Sequence, residues 1–289
     1  MGIDLHAFNF LRLQAQNAPL GHVLTVGRQS LGLPPKVLEA TLGPGARGDG
    51  YCEPLLRAMT ASQVDSIDFS DYEDATFVAD FNQPVQIGQQ FDTIVDSGSL
   101  EHIFDVAMAF RNVAALCKVG GRIIHVLPVN NLNGHGFWQF SSDLLHSVYS
   151  ERNGFGDTEV FYASSLDFST WYKAPRPRPG TRVQVVSVEP LILLSVTRKT
   201  DDCPQLTAVQ PFYEQAWRDH APEALYGATP GRGLAQTVKS MLRNHGDAAK
   251  VLRNIALLAG LASGRSRYSI KHPPFQRIAV DAAVGGYVQ

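Results

Sequence analysis

Long apolar runs, cysteine pairs and an excess of one charge are all missing from this sequence of 289 residues. No apolar run approaches the roughly 20 residues that cross a bilayer, and the amino terminus lacks the basic and apolar regions of a signal peptide. The three cysteines, Cys52, Cys117 and Cys203, are far apart and have no Cys-x-x-Cys spacing, so neither a disulfide framework nor a zinc site is indicated. We predict a cytoplasmic protein without a membrane partner.

Other classes of protein lack support for similar reasons. A formal net charge of −2 argues against a protein that coats nucleic acid, because phosphate contacts need clustered Lys and Arg, and no nucleic-acid partner is predicted. Histidine and acidic residues are scattered without ligand spacing on a shared element, so no metal is predicted. The G-x-G-x-x-G turn of dinucleotide-dependent dehydrogenases is absent as well, and so is a nucleophile elbow.

The most informative segment that is present covers residues 91–103, FDTIVDSGSLEHI. An apolar strand ends at Asp96, a polar turn follows, and residues 106–117 have the apolar spacing of an amphipathic helix. Gly120 and Gly121 then turn the chain into another apolar strand at residues 122–127. Because open α/β sheets bind ligands at the carboxyl ends of their strands, we expect a ligand site beside Asp96.

The rest of the chain alternates strands with helices, which predicts an α/β fold with a doubly wound, mostly parallel sheet. Helices are predicted at residues 3–16, 34–42, 49–59 and 142–149, and strands at residues 22–26, 64–69, 75–81, 157–162 and 183–197. Helical patterns follow around residues 211–220, 234–242 and 248–261. We predict a Rossmann-like domain over residues 1–200 and a C-terminal helical extension over residues 201–289, which could pack on the sheet or form a homo-oligomer.

The turn after Asp96, with Leu100 and His102, and the K-x-G-G hairpin that ends at Gly121 resemble the fourth and fifth strands of class I S-adenosylmethionine-dependent methyltransferases. The resemblance covers roughly residues 20–200 and is strongest over residues 65–141. It implies a Rossmann-like sheet with an antiparallel edge hairpin, here residues 157–162 and 183–197, and it implies S-adenosyl-L-methionine as the cofactor.

In that family the cofactor contacts the first glycine turn and the ends of strands two, three and four. Carried onto this chain, the resemblance predicts twelve cofactor-binding residues: Gly27, Arg28, Tyr51, Glu53, Asp68, Phe69, Asp80, Phe81, Asn82, Asp96, Ser97 and Gly98. The glycine turn is degenerate, since one glycine stands where the family has several, and a strand-ending turn is an equal alternative. The segment with Tyr51 and Glu53 could also be a surface loop that leads into a core helix.

For the acceptor, the resemblance and the polar loop after residue 127 point to two catalytic histidines, His102 and His135. A hydroxyl acceptor must lose a proton during transfer, and a histidine can receive it. His102 could equally cap or pack against its helix, and His135 could stabilise a turn. Substrate contacts are predicted for Asn130, Asn131, Trp138 and Gln139. The asparagines could instead form Asx turns, and the aromatic residues could anchor the loop to the core.

The predicted function is therefore methyl transfer from S-adenosylmethionine to a hydroxyl or amine of a small molecule or sugar, by in-line displacement. A Gly-His-Gly-Phe loop similar to that of sugar-modifying relatives favours a role in glycan or natural-product biosynthesis. Two alternatives remain open from the sequence. One is a methyltransferase-like binding protein without catalysis, and the other is an enzyme that cyclises the aminobutyryl chain of the cofactor.

Overall fold

The computed structural model describes residues 2–46, 50–203, 205–219 and 247–281, and its centre is a nine-stranded mixed sheet. The strands are β1 (Gly21–Val26), β2 (Ala61–Asp68), β3 (Phe77–Val78), β4 (Phe91–Ser97), β5 (Cys117–Asn130), β6 (Phe155–Ser164), β7 (Thr170–Lys173), β8 (Leu191–Lys199) and β9 (Gln276–Ala279). The helices are α1 (Leu5–Asn17), α2 (Pro35–Leu42), α3 (Glu53–Ala58), α4 (Val106–Leu116), α5 (Ser142–Val148), α6 (Pro211–Asp219) and α7 (Asp247–Ala262).

The strand order is β3-β2-β1-β4-β5-β8-β6-β7-β9. The first five strands in this order are parallel, and β8 lies antiparallel between β5 and β6. This arrangement confirms the predicted doubly wound sheet and its antiparallel pair. The pair does not end the sheet, however, because β7 and β9 continue it beyond β6.

Both faces of the sheet are covered, as a parallel sheet requires. Side chains alternate between the two faces along a strand, and neighbouring residues of β4 fall into separate apolar cores: Ile94 belongs to one and Val95 to the other. The same alternation separates Ile123 from Ile124 on β5. The continuous apolar runs in the sequence therefore reflect burial on both faces of the sheet. The polar residues that follow these runs lie at the carboxyl ends of the strands.

Some predicted boundaries differ from the structure. The strand predicted at 75–81 is reduced to the two residues of β3, because Asp80 turns the chain by accepting the backbone N–H of Asn82 at 2.9 Å. The strand predicted at 183–197 begins only at Leu191, after Pro190, which cannot donate a ladder hydrogen bond. The helix predicted at 234–242 lies outside the described residues.

The C-terminal segment contains the two helices α6 and α7 and an unpredicted strand, β9, which pairs antiparallel with β7. The four-residue pattern of β9 is too short to be distinguished from a loop by periodicity. The division at residue 200 and the role of these helices in oligomer formation remain predictions. Among the described residues, no helix is long and apolar enough to cross a membrane.

The buried His146 on α5 is expected to make the protein less stable as the pH falls. It is 6% exposed, and neither ring nitrogen has a hydrogen-bond partner among the described residues. Burial, with a smaller contribution from Arg176, lowers the pKa of His146 to about 4. The unfolded chain therefore binds a proton as the pH falls through about 6.5, while the folded chain does not, so this group costs about 2–3 kcal/mol of stability by pH 4.5.

Urea unfolding of the wild type and of His146→Leu at pH 7.5 and pH 4.5 measures this contribution. The wild type is expected to lose more unfolding free energy on acidification than the variant does. Equal losses of unfolding free energy in the wild type and in His146→Leu would contradict the proposed effect of His146.

Candidate active site

A cavity of about 320 Å³ lies at the carboxyl ends of β1, β2 and β4. Nine of the residues predicted from the sequence line it: Gly27, Arg28, Asp68, Phe69, Asp80, Phe81, Asn82, Gly98 and His102. Gln29, Glu73, Ser99 and Ile103 also line it and were missed, although each lies within five residues of a predicted position. The strand ends that the sequence singled out thus meet at one crevice, whose volume is within the usual range for ligand pockets.

The turn at Gly27 can exist only without a side chain. Its φ is +74°, and a Cβ atom there would lie 2.6 Å from the hydroxyl of Ser99. That hydroxyl is held in place, since it donates to the carbonyl of Val26 at 2.6 Å and accepts the side-chain N–H of Gln29 at 3.1 Å. The single glycine therefore leaves the backbone open to the cavity.

Arg28, which departs from the family pattern, is drawn aside by its neighbours. Its Nε donates to Glu53 at 2.8 Å, its Nη1 donates to the carbonyl of Glu73, and its guanidinium lies 4.1 Å from the ring centre of Tyr51. Tyr51 and Glu53 do not line the cavity themselves. Their direct contact with the cofactor stays a prediction, and in the structure both side chains hold Arg28.

Asp68 stands at the end of β2 and faces the cavity. One carboxylate oxygen accepts the backbone N–H of Arg28 at 3.1 Å, and the other accepts that of Phe69 at 2.7 Å. Two backbone donors fix the orientation of the carboxylate and leave lone pairs free to accept hydroxyl groups. Phe69 lines the cavity beside it with a side chain that is 73% exposed.

The third strand tip is a compact turn. Asp80 accepts both the backbone and the side-chain N–H of Asn82, at 2.9 and 2.7 Å. Asn112 of α4 supports this turn by donating to the carbonyls of Phe81 and Gln83, at 3.1 and 2.8 Å. The turn therefore brings Asp80, the buried Phe81 and Asn82 to the cavity lining in a fixed arrangement.

Asp96 and Ser97 do not line the cavity, and their contact with the cofactor stays a prediction. Asp96 is fully buried, where one oxygen accepts the backbone N–H of Ser99 at 2.9 Å and the other lies 2.8 Å from Nδ1 of His125. Nε2 of His125 lies 2.6 Å from the hydroxyl of Tyr149. Ser97 donates to a backbone carbonyl near the amino terminus. This buried network shapes the turn that carries Gly98 and Ser99.

A second polar group, Glu101, His102 and His135, adjoins the cavity through His102. Glu101 is fully buried, and neither carboxylate oxygen has a hydrogen-bond partner among the described residues. Its Oε1 lies 3.9 Å from Nε2 of His102 and 3.7 Å from Nε2 of His135. Burial, and next the charge of Asp96, raise the pKa of Glu101 to about 8.

The loop that carries His135 is docked on Glu101. The backbone carbonyl of Glu101 accepts the N–H of Phe137 at 2.7 Å, and Trp138 donates its indole N–H to the carbonyl of Ile103 at 2.9 Å. A Cβ atom on Gly136 would lie 2.7 Å from Cγ of Glu101, so only glycine allows this approach. His102 and His135 are brought together although 33 positions separate them in the sequence.

The four residues predicted to contact the substrate, Asn130, Asn131, Trp138 and Gln139, do not line the cavity, and their contact with a substrate stays a prediction. Asn130 donates to the Ser187 hydroxyl at 3.3 Å, and Asn131 donates to the carbonyls of Ser187 and Glu189 at 3.0 and 3.1 Å. These amides hold the segment before β8. Gln139 accepts the backbone N–H of Leu132 at 3.4 Å and closes the histidine loop. Trp138, which is 38% exposed, anchors that loop.

No protein-family profile matches the chain, and no curated protein matches it either. Solved structures that resemble it include the N-methyltransferase NodS from Bradyrhizobium japonicum, with 14% identity, TM-score 0.39 and coverage of 66% of this chain and 93% of that one. A TehB-like methyltransferase from Corynebacterium glutamicum has 20% identity, TM-score 0.38 and coverage of 66% and 87%. A possible histamine N-methyltransferase from Thermotoga maritima has 14% identity, TM-score 0.38 and coverage of 68% and 91%.

An open α/β sheet ends in a crevice with a bare glycine turn, two carboxylates on adjacent strand tips and a histidine-carboxylate cluster at one side. Such a crevice suits a nucleoside-sized ligand beside a second, polar reactant.

Proposed function

We propose that this protein is an S-adenosylmethionine-dependent methyltransferase that acts on a hydroxyl or amine of a small molecule or sugar. The observation that carries the proposal is the convergence of Gly27, Asp68 and Asp80 on one crevice, with the Glu101, His102 and His135 cluster beside it. Three strand tips supply what an adenosine needs: close backbone approach, a carboxylate for a diol and a polar turn for an amine.

In the proposed complex, the residues that line the cavity contact the cofactor without a change in their own hydrogen bonds. Asp68 would accept the two ribose hydroxyls, since backbone donors already orient its carboxylate. Asp80 and Asn82 would meet the adenine edge, while Phe69 and Phe81 would flank its ring. The methyl donor supplies a sulfonium leaving group, so the protein has chiefly to hold the reactants in line.

The acceptor would lie against His102 and His135. His102 lines the cavity with a side chain that is 48% exposed, and the side chain of His135 is 34% exposed, so a ligand from solvent can reach both rings. A hydroxyl or amine nucleophile needs a polar contact that orients its lone pair and a route for its proton. The proposed acceptor is a small molecule or a sugar, in glycan or natural-product biosynthesis.

Substituting Asp68 with alanine is expected to weaken the binding of S-adenosylhomocysteine by about 10- to 100-fold, which corresponds to about 1.4–2.7 kcal/mol. The loss follows because the charged acceptors for two hydroxyl groups disappear from the crevice. Isothermal titration calorimetry with the purified full-length chain measures it.

Asp71→Ala is the matched control, since Asp71 is an exposed acid on the loop after β2 that does not line the cavity. Its affinity for S-adenosylhomocysteine is expected to equal that of the wild type. Failure of the wild-type protein to bind S-adenosylhomocysteine at millimolar concentration would overturn the proposed function. Product analysis after incubation with S-adenosylmethionine alone separates methyl transfer from cyclisation of the aminobutyryl chain.

A further inference from the structure

We propose that Glu101, His102 and His135 form a binding site for one divalent transition-metal ion at the side of the cavity. Each residue offers one ligand atom, and the three atoms lie within 4.8 Å of one another. Two imidazole nitrogens and one carboxylate oxygen form a donor set that Zn²⁺, Mn²⁺, Fe²⁺ and Co²⁺ accept.

The distances are close to those of a formed site. Metal–ligand bonds of about 2.0–2.2 Å in tetrahedral geometry place neighbouring donor atoms about 3.4 Å apart. Oε1 of Glu101 lies 3.7 Å from Nε2 of His135 and 3.9 Å from Nε2 of His102. These two separations exceed hydrogen-bond length and lie within about half an ångström of the donor spacing in a formed site, and the two histidine nitrogens lie within 4.8 Å of each other.

An independent observation is the unpartnered carboxylate. Glu101 is 0% exposed, and neither of its oxygens accepts a hydrogen bond from any described residue. Nε2 of His135 is likewise buried and unpartnered. A buried carboxyl group whose oxygens lack hydrogen-bond partners is unfavourable, and a cation bound at this point would satisfy it and both imidazoles together.

The protein also holds the donors on fixed backbone. Glu101 and His102 belong to a 3-10 turn directly after β4, and the His135 loop is tied to that turn by the Phe137 N–H, which donates to the carbonyl of Glu101 at 2.7 Å. Gly136 permits this approach because a side chain there would overlap Glu101. Such preorganisation lowers the ordering cost of binding an ion.

Three protein ligands leave coordination positions open for water or a substrate oxygen. This role in the reaction rests on the proposed function, although ion binding itself does not. A bound cation would hold an acceptor hydroxyl and lower its pKa, so that its proton can pass to solvent. The imidazole lone pairs would then point at the ion, and both histidines would act as ligands instead of proton acceptors.

The test uses the full-length chain after dialysis against a chelator, titrated with Co²⁺ and, separately, with Zn²⁺. The wild type is expected to bind one ion per chain, with visible Co²⁺ absorption, and to melt about 5–10 °C higher at an ion concentration 100 times Kd. Glu101→Gln and His135→Ala are expected to bind at least tenfold more weakly and to lose most of the absorption.

Asp65→Asn is the matched control, because Asp65 forms another close carboxylate–histidine contact, 2.6 Å from Nε2 of His22, away from the cavity. It should bind Co²⁺ as the wild type does. Unchanged Co²⁺ affinity in both Glu101→Gln and His135→Ala, or no binding by the wild type, would overturn the proposal.

Titration of the same samples with S-adenosylhomocysteine separates this inference from the proposed function. Binding of the nucleoside without any ion binding refutes the metal site alone. Binding of the ion without the nucleoside refutes the methyltransferase proposal and leaves the metal site standing. Glu101→Gln has nearly the shape of the wild-type side chain and places no charge in the buried position, so it is expected to fold.

Discussion

Gly27→Val is expected to abolish detectable binding of S-adenosylhomocysteine, with a loss of more than about 100-fold, or ~2.7 kcal/mol. Two effects combine. A β-branched residue is strained at the φ of +74° that Gly27 adopts, and its Cβ would lie 2.6 Å from the Ser99 hydroxyl. The valine side chain must either push Ser99 away from its hydrogen-bond partners, Val26 and Asp96, or move into the crevice. In the second case it occupies the place where the ligand is proposed to contact the backbone of Gly27.

Gly43→Val is the control for strain alone. Gly43 has a φ of +99° at the end of α2, and a Cβ there meets nothing within 4 Å. Both variants should lose stability in urea unfolding, but only Gly27→Val should lose affinity in calorimetry. If Gly27→Val binds S-adenosylhomocysteine as tightly as Gly43→Val does, the crevice is not the nucleoside site.

Gly136→Ala is expected to reduce methyl transfer by about 100-fold or more, because small misplacement of reacting groups has effects of that size. A Cβ atom at this position would lie 2.7 Å from Cγ and 2.8 Å from the carbonyl oxygen of Glu101. The loop must move outward, which separates His135 from Glu101 and breaks the hydrogen bond of Phe137. Affinity for S-adenosylhomocysteine should be unchanged, since Gly136 does not line the cavity.

Gly134→Ala provides the comparison within the same loop. Gly134 has a φ of +87°, yet an added Cβ would meet nothing within 4 Å. This variant strains the loop without pushing it away from Glu101, so transfer should fall much less than in Gly136→Ala. Steady-state transfer of a radiolabelled methyl group, together with calorimetry, measures both effects. Equal rates in the two variants would show that close docking of the loop on Glu101 is unimportant.

The sequence predicted the parallel half of the fold well, for a physical reason. The central residues of β1, β2, β4 and β5 are buried between the two cores, and the parallel strands β1 to β4 lead into polar turns. Those turns contain Gly27, Asp68, Asp80 and Gly98, and all four line the crevice. β9 could not be predicted, because its pairing with β7 joins segments about 100 residues apart.

The roles of the polar residues were harder to predict than the strands. Asp96, Asn130 and Asn131 are of residue types that often bind ligands, yet their side chains form hydrogen bonds with other parts of the chain. A carboxylate or an amide can serve either purpose, and its partner decides which. His125 is a histidine within an apolar strand, and in the structure it belongs to a buried network. Its partners in that network, Asp96 and Tyr149, lie far from it in the sequence.

The sequence by itself determined the α/β class and the strand ends that form a crevice, because apolar periodicity and turn chemistry are local properties of the chain. Only the tertiary structure decided which polar side chains face that crevice, and only it placed His135 beside Glu101. That contact depends on a loop with no local pattern, on a glycine that admits close backbone approach and on a buried carboxylate left without a partner.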